Sequence, residues 1–144
     1  MKIIEYEERY RDDMLFMYLQ AKDALGTVPS LREDMLDIKA NYMDKGDMFW
    51  LALSDEDRVI GCVGYSSIEG TDEVWLHRFY VKAELKHRGI GTALYKNAEA
   101  YIRSRGKRLI RVHLGGKGYE ASRLFYKKQG FDYYDDGEHM MKAL

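Results

Sequence analysis

Val74–Leu94, VWLHRFYVKAELKHRGIGTAL, is the stretch whose reading decides this chain's fold. Its first part is an apolar run of β type (Val74, Trp75, Leu76, Phe79, Tyr80, Val81), and from Thr92 onward a strongly helical segment opens. Between them lie a polar, basic loop from Lys82 to Arg88 and then Gly89-Ile90-Gly91. Strand, loop and helix start in that order aim several unpaired backbone N–H groups and the positive end of a helix dipole at one point. The glycines let an oxygen of an anion approach the main chain, so the stretch reads as a cradle for a phosphate-type group. A dinucleotide fingerprint is disfavoured, because Leu94 stands where its third glycine belongs, and Gly-x-x-x-x-Gly-Lys-Ser/Thr occurs nowhere. The plainer alternative is a strand-to-helix loop whose glycines serve only turn geometry.

Upstream, Gly70-Thr71-Asp72 turns the chain into this strand. Met48–Leu53 is a near-continuous apolar run, and Val59–Ile68 forms its hairpin partner across Asp55-Glu56-Asp57-Arg58. Gly61 and Gly64 inside that partner predict a bulge or a close approach by another backbone. Lys2–Tyr6 reads as a first strand. Apolar positions from Arg9 to Leu25 recur at three- and four-residue spacing, which predicts an amphipathic helix ended by Gly26, with its Met-rich stripe in the core. Ser30-x-x-Glu33 has the spacing of a capping box for a second helix through Tyr42, stopped by Gly46.

Downstream, the central helix runs from Gly91 to Arg105 and Gly106 caps it. A strand follows over Leu109–Leu114, then a helix over Tyr119–Gln129, then a hairpin of Phe131–Tyr134 and His139–Leu144 across Asp135-Asp136-Gly137. The pattern predicts a mixed α/β class.

The 144 residues fit one domain spanning 1–144, large enough to bury a core without covalent staples. Lys plus Arg 23 against Asp plus Glu 24 gives net charge −1, so no global attraction to nucleic acid or membrane is expected. One cysteine, Cys62, excludes an internal disulfide, and with four scattered histidines no metal site is expected. These features fit a reducing cytoplasm. The longest apolar run, Met14–Leu19, is too short to span a bilayer, and a soluble, unprocessed protein is expected.

Two separated motifs carry a family resemblance. Lys86-His87-Arg88-Gly89-Ile90-Gly91-Thr92-Ala93-Leu94 follows Phe79-Tyr80-Val81, and Ala121-Ser122-Arg123-Leu124-Phe125-Tyr126-Lys127-Lys128-Gln129-Gly130-Phe131 comes later. Together they resemble the GCN5-related N-acetyltransferase (GNAT) superfamily. The resemblance implies a mostly antiparallel central sheet flanked by about four helices, with a splayed strand pair holding acetyl-CoA. It implies that backbone amides of His87, Arg88, Gly89, Ile90, Gly91 and Thr92 hold the pyrophosphate, with Lys86 beside them. Main-chain groups of Phe79, Tyr80 and Val81 would pair with the pantetheine arm and the acetyl carbonyl like an added strand. Tyr119 stands where a CoA-contacting Asn is common, Lys86 replaces the usual Gln or Arg, and Leu114 replaces a Glu that some members use as a base.

Acetyl transfer to an amine needs a neutral nucleophile, a polarised carbonyl and a proton for the departing thiolate. Tyr126, at the motif position, is the expected donor to that sulfur. For the base, Glu73, Trp75 and His77 alternate onto one face of the central strand. His77 lies nearest the working pH, so the rate should rise with pH through an ionisation at roughly 6.5 to 7.5 if it serves. The alternative for His77 is a half-buried histidine bonded to backbone, and for Glu73 a solvated charge. His113 is a weaker candidate. The catalytic assignment places His77 on the acetyl-facing side provided that no bulge precedes Phe79. An N-acetyltransferase acting on a small-molecule or peptide amine is the leading expectation. A non-catalytic acyl-CoA sensor of the same fold and an interaction module without CoA are the other readings. Edge strands make a homodimer possible.

Overall fold

Apolar runs as unbroken as Met48–Leu53 and Val59–Ser67 can hide both faces only inside a sheet that carries helices on either side. The computed structural model, which describes residues 1–114, 120–134 and 138–144, puts them there. The strands are β1 (Lys2–Glu5), β2 (Met48–Leu53), β3 (Val59–Ser67), β4 (Glu73–Val81), β5 (Leu109–His113), β6 (Asp132–Tyr133) and β7 (His139–Ala143). They form one seven-stranded sheet in the order β1-β2-β3-β4-β5-β7-β6. Every neighbouring pair is antiparallel except β4 and β5. A parallel pair needs a crossover, which α4 (Ile90–Ser104) provides.

A short 3-10 turn at Glu8–Tyr10 leads into α1 (Arg11–Ala24), and α2 (Glu33–Leu36) and α3 (Ile38–Asn41) follow. One face of the sheet receives α1 and its neighbours. Met14, Met17, Tyr18 and Ala21 pack there with Phe49, Leu51, Leu53 and Cys62. The methionine stripe is core as expected, with Met14 at 0% exposure. The opposite face receives α4 through Leu94, Tyr95, Ala98 and Ile102, which meet Val74, Leu76, Ile110, Val112 and Met140. α5 (Glu120–Lys128) adds Tyr126 to this second cluster.

The anticipated second helix is corrected in two places. Arg32, with an extended backbone and no side-chain cap, precedes α2, so the Ser30–Glu33 capping box does not form. The helix also breaks at Asp37, whose carboxylate accepts from the Ala40 amide at 3.1 Å and starts α3 anew. An aspartate able to cap a helix competes with continuing one.

The glycines of β3 mark close approach. A Cβ on Gly64 would run into the Phe49 ring, and one on Gly61 would crowd the Leu94 side chain and the Tyr80 carbonyl oxygen. The irregularity lies opposite, on β4. At the other end of the sheet, Lys142 of β7 reaches Glu99 of α4 at 2.5 Å, and the Tyr95 hydroxyl donates to the same carboxylate at 3.0 Å. This ties the strand inserted between β5 and β6 to the crossover helix. The anticipated helical start at Tyr119 and the hairpin turn at 135–137 lie outside the described residues. Among the described residues, no helix is long and apolar enough to cross a membrane.

Candidate functional site

The site is built on a fault in β4. Cys62 pairs with Tyr80 and Gly64 with His77, so the two residues Arg78 and Phe79 stand opposite the single residue Val63. Arg78 takes φ 53°, a left-handed conformation uncommon for a side chain of its size. The Cys62 thiol donates to the Arg78 carbonyl at 3.1 Å, and burial pushes that thiol up to about 12, so it stays protonated. The extra residue resets the alternation. Val74 and Leu76 face α4, and beyond the bulge Phe79 and Val81 do so, while Tyr80 packs with α1. A bulge therefore does precede Phe79, and His77 shares a face with Tyr80 instead of with Phe79.

A second interruption follows from the first. The parallel ladder between β4 and β5 ends at Leu76 opposite Val112, although β4 continues to Val81. Alongside that continuation lies a cleft of about 410 Å3. Phe79, Tyr80 and Val81 line it from the strand, Lys86, His87, Gly89, Ile90, Gly91 and Thr92 from the loop and helix start, and α5 closes it. Arg88, exposed in the same loop, is not part of the lining.

Gly89 is the N-cap of α4 at φ 85°, and no side chain caps the helix. The first bond inside the helix is from the Ala93 amide to the Gly89 carbonyl, 3.0 Å, so the N–H groups of Ile90, Gly91 and Thr92 precede the ladder. His87, at φ 65°, brings a second left-handed residue to the approach, and successive turns of this kind form an anion-binding concavity. A Cβ on Gly91 would meet nothing nearer than Val81 at 3.6 Å, so protein packing alone does not require a glycine there.

Tyr126 forms the cleft's inner wall. Its ring lies among Phe79, Phe125 and Phe131, at centroid distances of 6.3, 5.5 and 5.1 Å. Burial pushes its phenol well above the usual value, which keeps the proton on at working pH. Tyr126 is one of the residues that line the cleft.

The other titratable candidates sit apart from this wall. His77 is half-buried on β4, and burial, with help from Arg78 and against the opposing pull of Asp34 and Asp47, lowers its pKa below the ordinary imidazole value. Any kinetic limb from it lies at lower pH than the sequence suggested. Glu73 is held by Arg111 at 2.7 Å. His113 pairs with His139 across β5 and β7 at 2.8 Å. Tyr119 lies outside the described residues.

Sequence periodicity places the first helix in the core without naming which of its residues reach the site. Ala21 of α1 and Leu25, the residue that caps its C-terminus, line the cleft. Tyr18 meets Tyr80 edge to face at 4.9 Å. Arg78 grips Asp34 of α2 with two hydrogen bonds, 3.0 and 2.8 Å, and the Tyr42 hydroxyl donates to the same carboxylate at 2.6 Å. Burial alone would raise the Asp34 carboxyl, but these hydrogen bonds hold it below its ordinary value. No periodicity announces such long-range pairings.

A split parallel pair beside an uncapped crossover helix defines the class, and the chain belongs to the acetyltransferase (GNAT) family, whose profile matches residues 7–131. An uncharacterized N-acetyltransferase of Methanocaldococcus jannaschii is 33% identical over 97 residues, covering 58% of this chain and 42% of that protein. The chain thus spans less than half the length of the curated relatives it matches. Among solved structures, an acetyltransferase of the GNAT family from Staphylococcus aureus Mu50 superposes with TM-score 0.90 at 20% identity, covering 99% of this chain and 98% of that one. PaiA N-acetyltransferase from Thermoplasma acidophilum, in complex with coenzyme A, gives TM-score 0.76 at 19% identity over the whole of both chains.

Proposed function

We propose that this chain transfers the acetyl group of acetyl-CoA to a primary amine by direct attack in a ternary complex. The observation that carries the reading is the cleft itself, which runs from the uncapped start of α4, past the bulged end of β4, to the Tyr126 hydroxyl. A pyrophosphate fits the helix N-terminus by charge and by its unused N–H donors. An extended amide-bearing arm fits alongside Phe79–Val81 as an added strand would. The coenzyme A complex of the Thermoplasma relative supports the same choice of cosubstrate.

In this reading the neutral amine forms the new C–N bond, the C–S bond breaks, and the thiolate takes the proton of Tyr126. The bulge turns His77 onto the face of Tyr80 and away from that of Phe79, so in this reading the ammonium proton reaches it by way of water and not directly, the imidazole being kept neutral by burial. Glu73, engaged with Arg111, is the control position for that assignment. No metal is invoked, and the reaction sits in the cytoplasm with 1–144 acting as one domain, either alone or as a homodimer.

The test is thiol release from acetyl-CoA against a panel of primary amines, with thermal unfolding followed alongside. Amine-dependent thiol release supports transfer. Stabilisation by acetyl-CoA with no release for any amine would leave a non-catalytic acyl-CoA sensor, and the absence of both would remove CoA from the account.

A further inference from the structure

Arg78 stands in a conformation that its side chain does not favour, and groups from other elements hold it there. At φ 53° it lies in the left-handed region, which a residue with a Cβ keeps only where its surroundings impose it. The Cys62 thiol donates to its carbonyl at 3.1 Å. Asp34 of α2 takes its guanidinium with both carboxylate oxygens, Nε at 3.0 Å and Nη2 at 2.8 Å. Two parallel bonds between planar groups fix direction as well as attraction. The Tyr42 hydroxyl donates to the same carboxylate at 2.6 Å and keeps it turned toward the strand.

The post from which Asp34 acts is itself immobile. Its neighbour Met35 and, in α3, Ile38 are fully buried in the core that α1 covers. Tyr42 is buried too, and its ring meets Phe49 at 5.1 Å. Both rings lie over Gly64, the β3 residue that pairs with His77 just before the bulge. A Cβ there would collide with the Phe49 ring and crowd the Tyr42 ring. The glycine thus makes room for the tyrosine, the tyrosine steers the aspartate, and the aspartate grips the arginine.

The effect falls on the residues that come next. Phe79, Tyr80 and Val81 line the cleft, and among the described residues the ladder to β5 has already ended at Leu76. The pairing with β3 and the turn at Arg78 therefore aim this stretch of main chain. The cleft's other contribution, the amide groups at the start of α4, comes from a different element and does not pass through Arg78.

Resting on the acetyl-CoA reading above, we infer that Asp34 is a positioning residue: by gripping Arg78 it holds the β4 bulge in the shape that lets Phe79–Val81 receive the pantetheine arm. Asp34 does not itself line the cleft, so it acts through the strand and not on the cofactor. Its role is specific to the arm, because the pyrophosphate is left to the helix start. Any residue with a Cβ at position 78 needs the grip, whereas glycine enters the left-handed region unaided.

The experiment measures, by calorimetry on the full chain, the dissociation constants of acetyl-CoA and of 3′-phospho-ADP, which keeps the pyrophosphate and lacks the arm. Asp34→Asn should weaken acetyl-CoA by at least about fivefold and leave 3′-phospho-ADP within about twofold. Arg78→Ala, which loses the grip and keeps a Cβ, should do the same. Arg78→Gly should bind acetyl-CoA several-fold more tightly than Arg78→Ala, and adding Asp34→Asn to Arg78→Gly should cost nothing further. Equal losses for the two ligands would make the pair a prop for the whole fold and overturn the assignment, and so would undiminished acetyl-CoA affinity in Asp34→Asn. Arg78→Gly no better than Arg78→Ala would overturn it as well, and that comparison decides alone should Asp34→Asn not fold. A parent chain that binds neither ligand would sink the acetyl-CoA reading itself, and this inference with it.

Discussion

Replacing Tyr126 with phenylalanine removes one oxygen and one proton from the wall of the cleft and nothing else. The residue is 8% exposed and lines the cleft, and its ring contacts with Phe79, Phe125 and Phe131 survive. Stability should change by no more than about 0.5 kcal/mol, since neither a protein hydrogen bond nor packing volume is lost. Turnover should fall by roughly ten- to a thousandfold, the usual contribution of a positioned acid less what water can replace. That is about 1.4 to 4 kcal/mol of barrier. The dissociation constant of acetyl-CoA should stay within about threefold, because the proton is required only as the sulfur leaves. Because burial raises the phenol's pKa, its protonated form persists through the neutral and mildly alkaline range, and no loss of rate from Tyr126 is expected there. Thiol release under saturating acetyl-CoA, with viscosity independence as proof that chemistry limits the rate, reads the effect. An unchanged kcat under those conditions would make Tyr126 a packing residue and refute the donor argument.

Gly89→Val forces a β-branched residue into φ 85°, and Gly91→Val fills space that the protein leaves open. Each should weaken acetyl-CoA binding by at least about tenfold in calorimetry, with parental affinity in both counting against the cradle. His77→Gln should abolish a rise of rate with pH whose midpoint lies below the ordinary imidazole value, while Glu73→Gln keeps it; the reverse pattern would move the base to the carboxylate. Asp34→Asn leaves Arg78 without its counter-charge and should cost about 2 kcal/mol in chemical denaturation, less than a fully buried pair because both partners are partly exposed. The Asp34 pKa is depressed in the fold, so the stability it contributes is complete above its unfolded value and fades as pH falls through the folded one. The gap between parent and variant should therefore close below about pH 4. A gap that widens on acidification would contradict the pairing.

The fold was legible wherever periodicity and glycine spoke together. Val74–Leu94 displays its strand, loop and helix because apolar run, basic loop and Gly89-Ile90-Gly91 each change the local preference in turn. The core role of Met14 and Met17 follows from their spacing. Asp37 was harder, since a residue that caps one helix looks from the sequence like a tolerated polar position inside another. The insertion of β7 between β5 and β6 is a matter of topology, which a hairpin reading of the last two strands leaves open. That the loop, the start of α4 and Tyr126 meet at one cleft was visible because backbone chemistry and a motif position mark those residues. The pairing of Arg78 with Asp34 and the packing of Tyr18 on Tyr80 were not, because they join elements distant in sequence through contacts that leave no local pattern. Arg78 in a left-handed conformation has no sequence signature either, since an arginine adopts it only under tertiary constraint.

The bulge at Arg78 makes the site depend on counting. Were Arg78 to take its place in a regular ladder, every side chain of the cleft would still be present in the sequence, yet strict alternation would carry Phe79 and Val81 to the α1 side and Tyr80 to the α4 side. Losing the bulge while keeping Arg78 is a change of phase and not of composition, whereas losing Arg78 with the bulge leaves the phase as it is. Grafting the loop and helix start of this chain onto another member of the family would transplant the cradle in register only if the donor strand is cut before His77, so that the irregularity travels with the residues it orients.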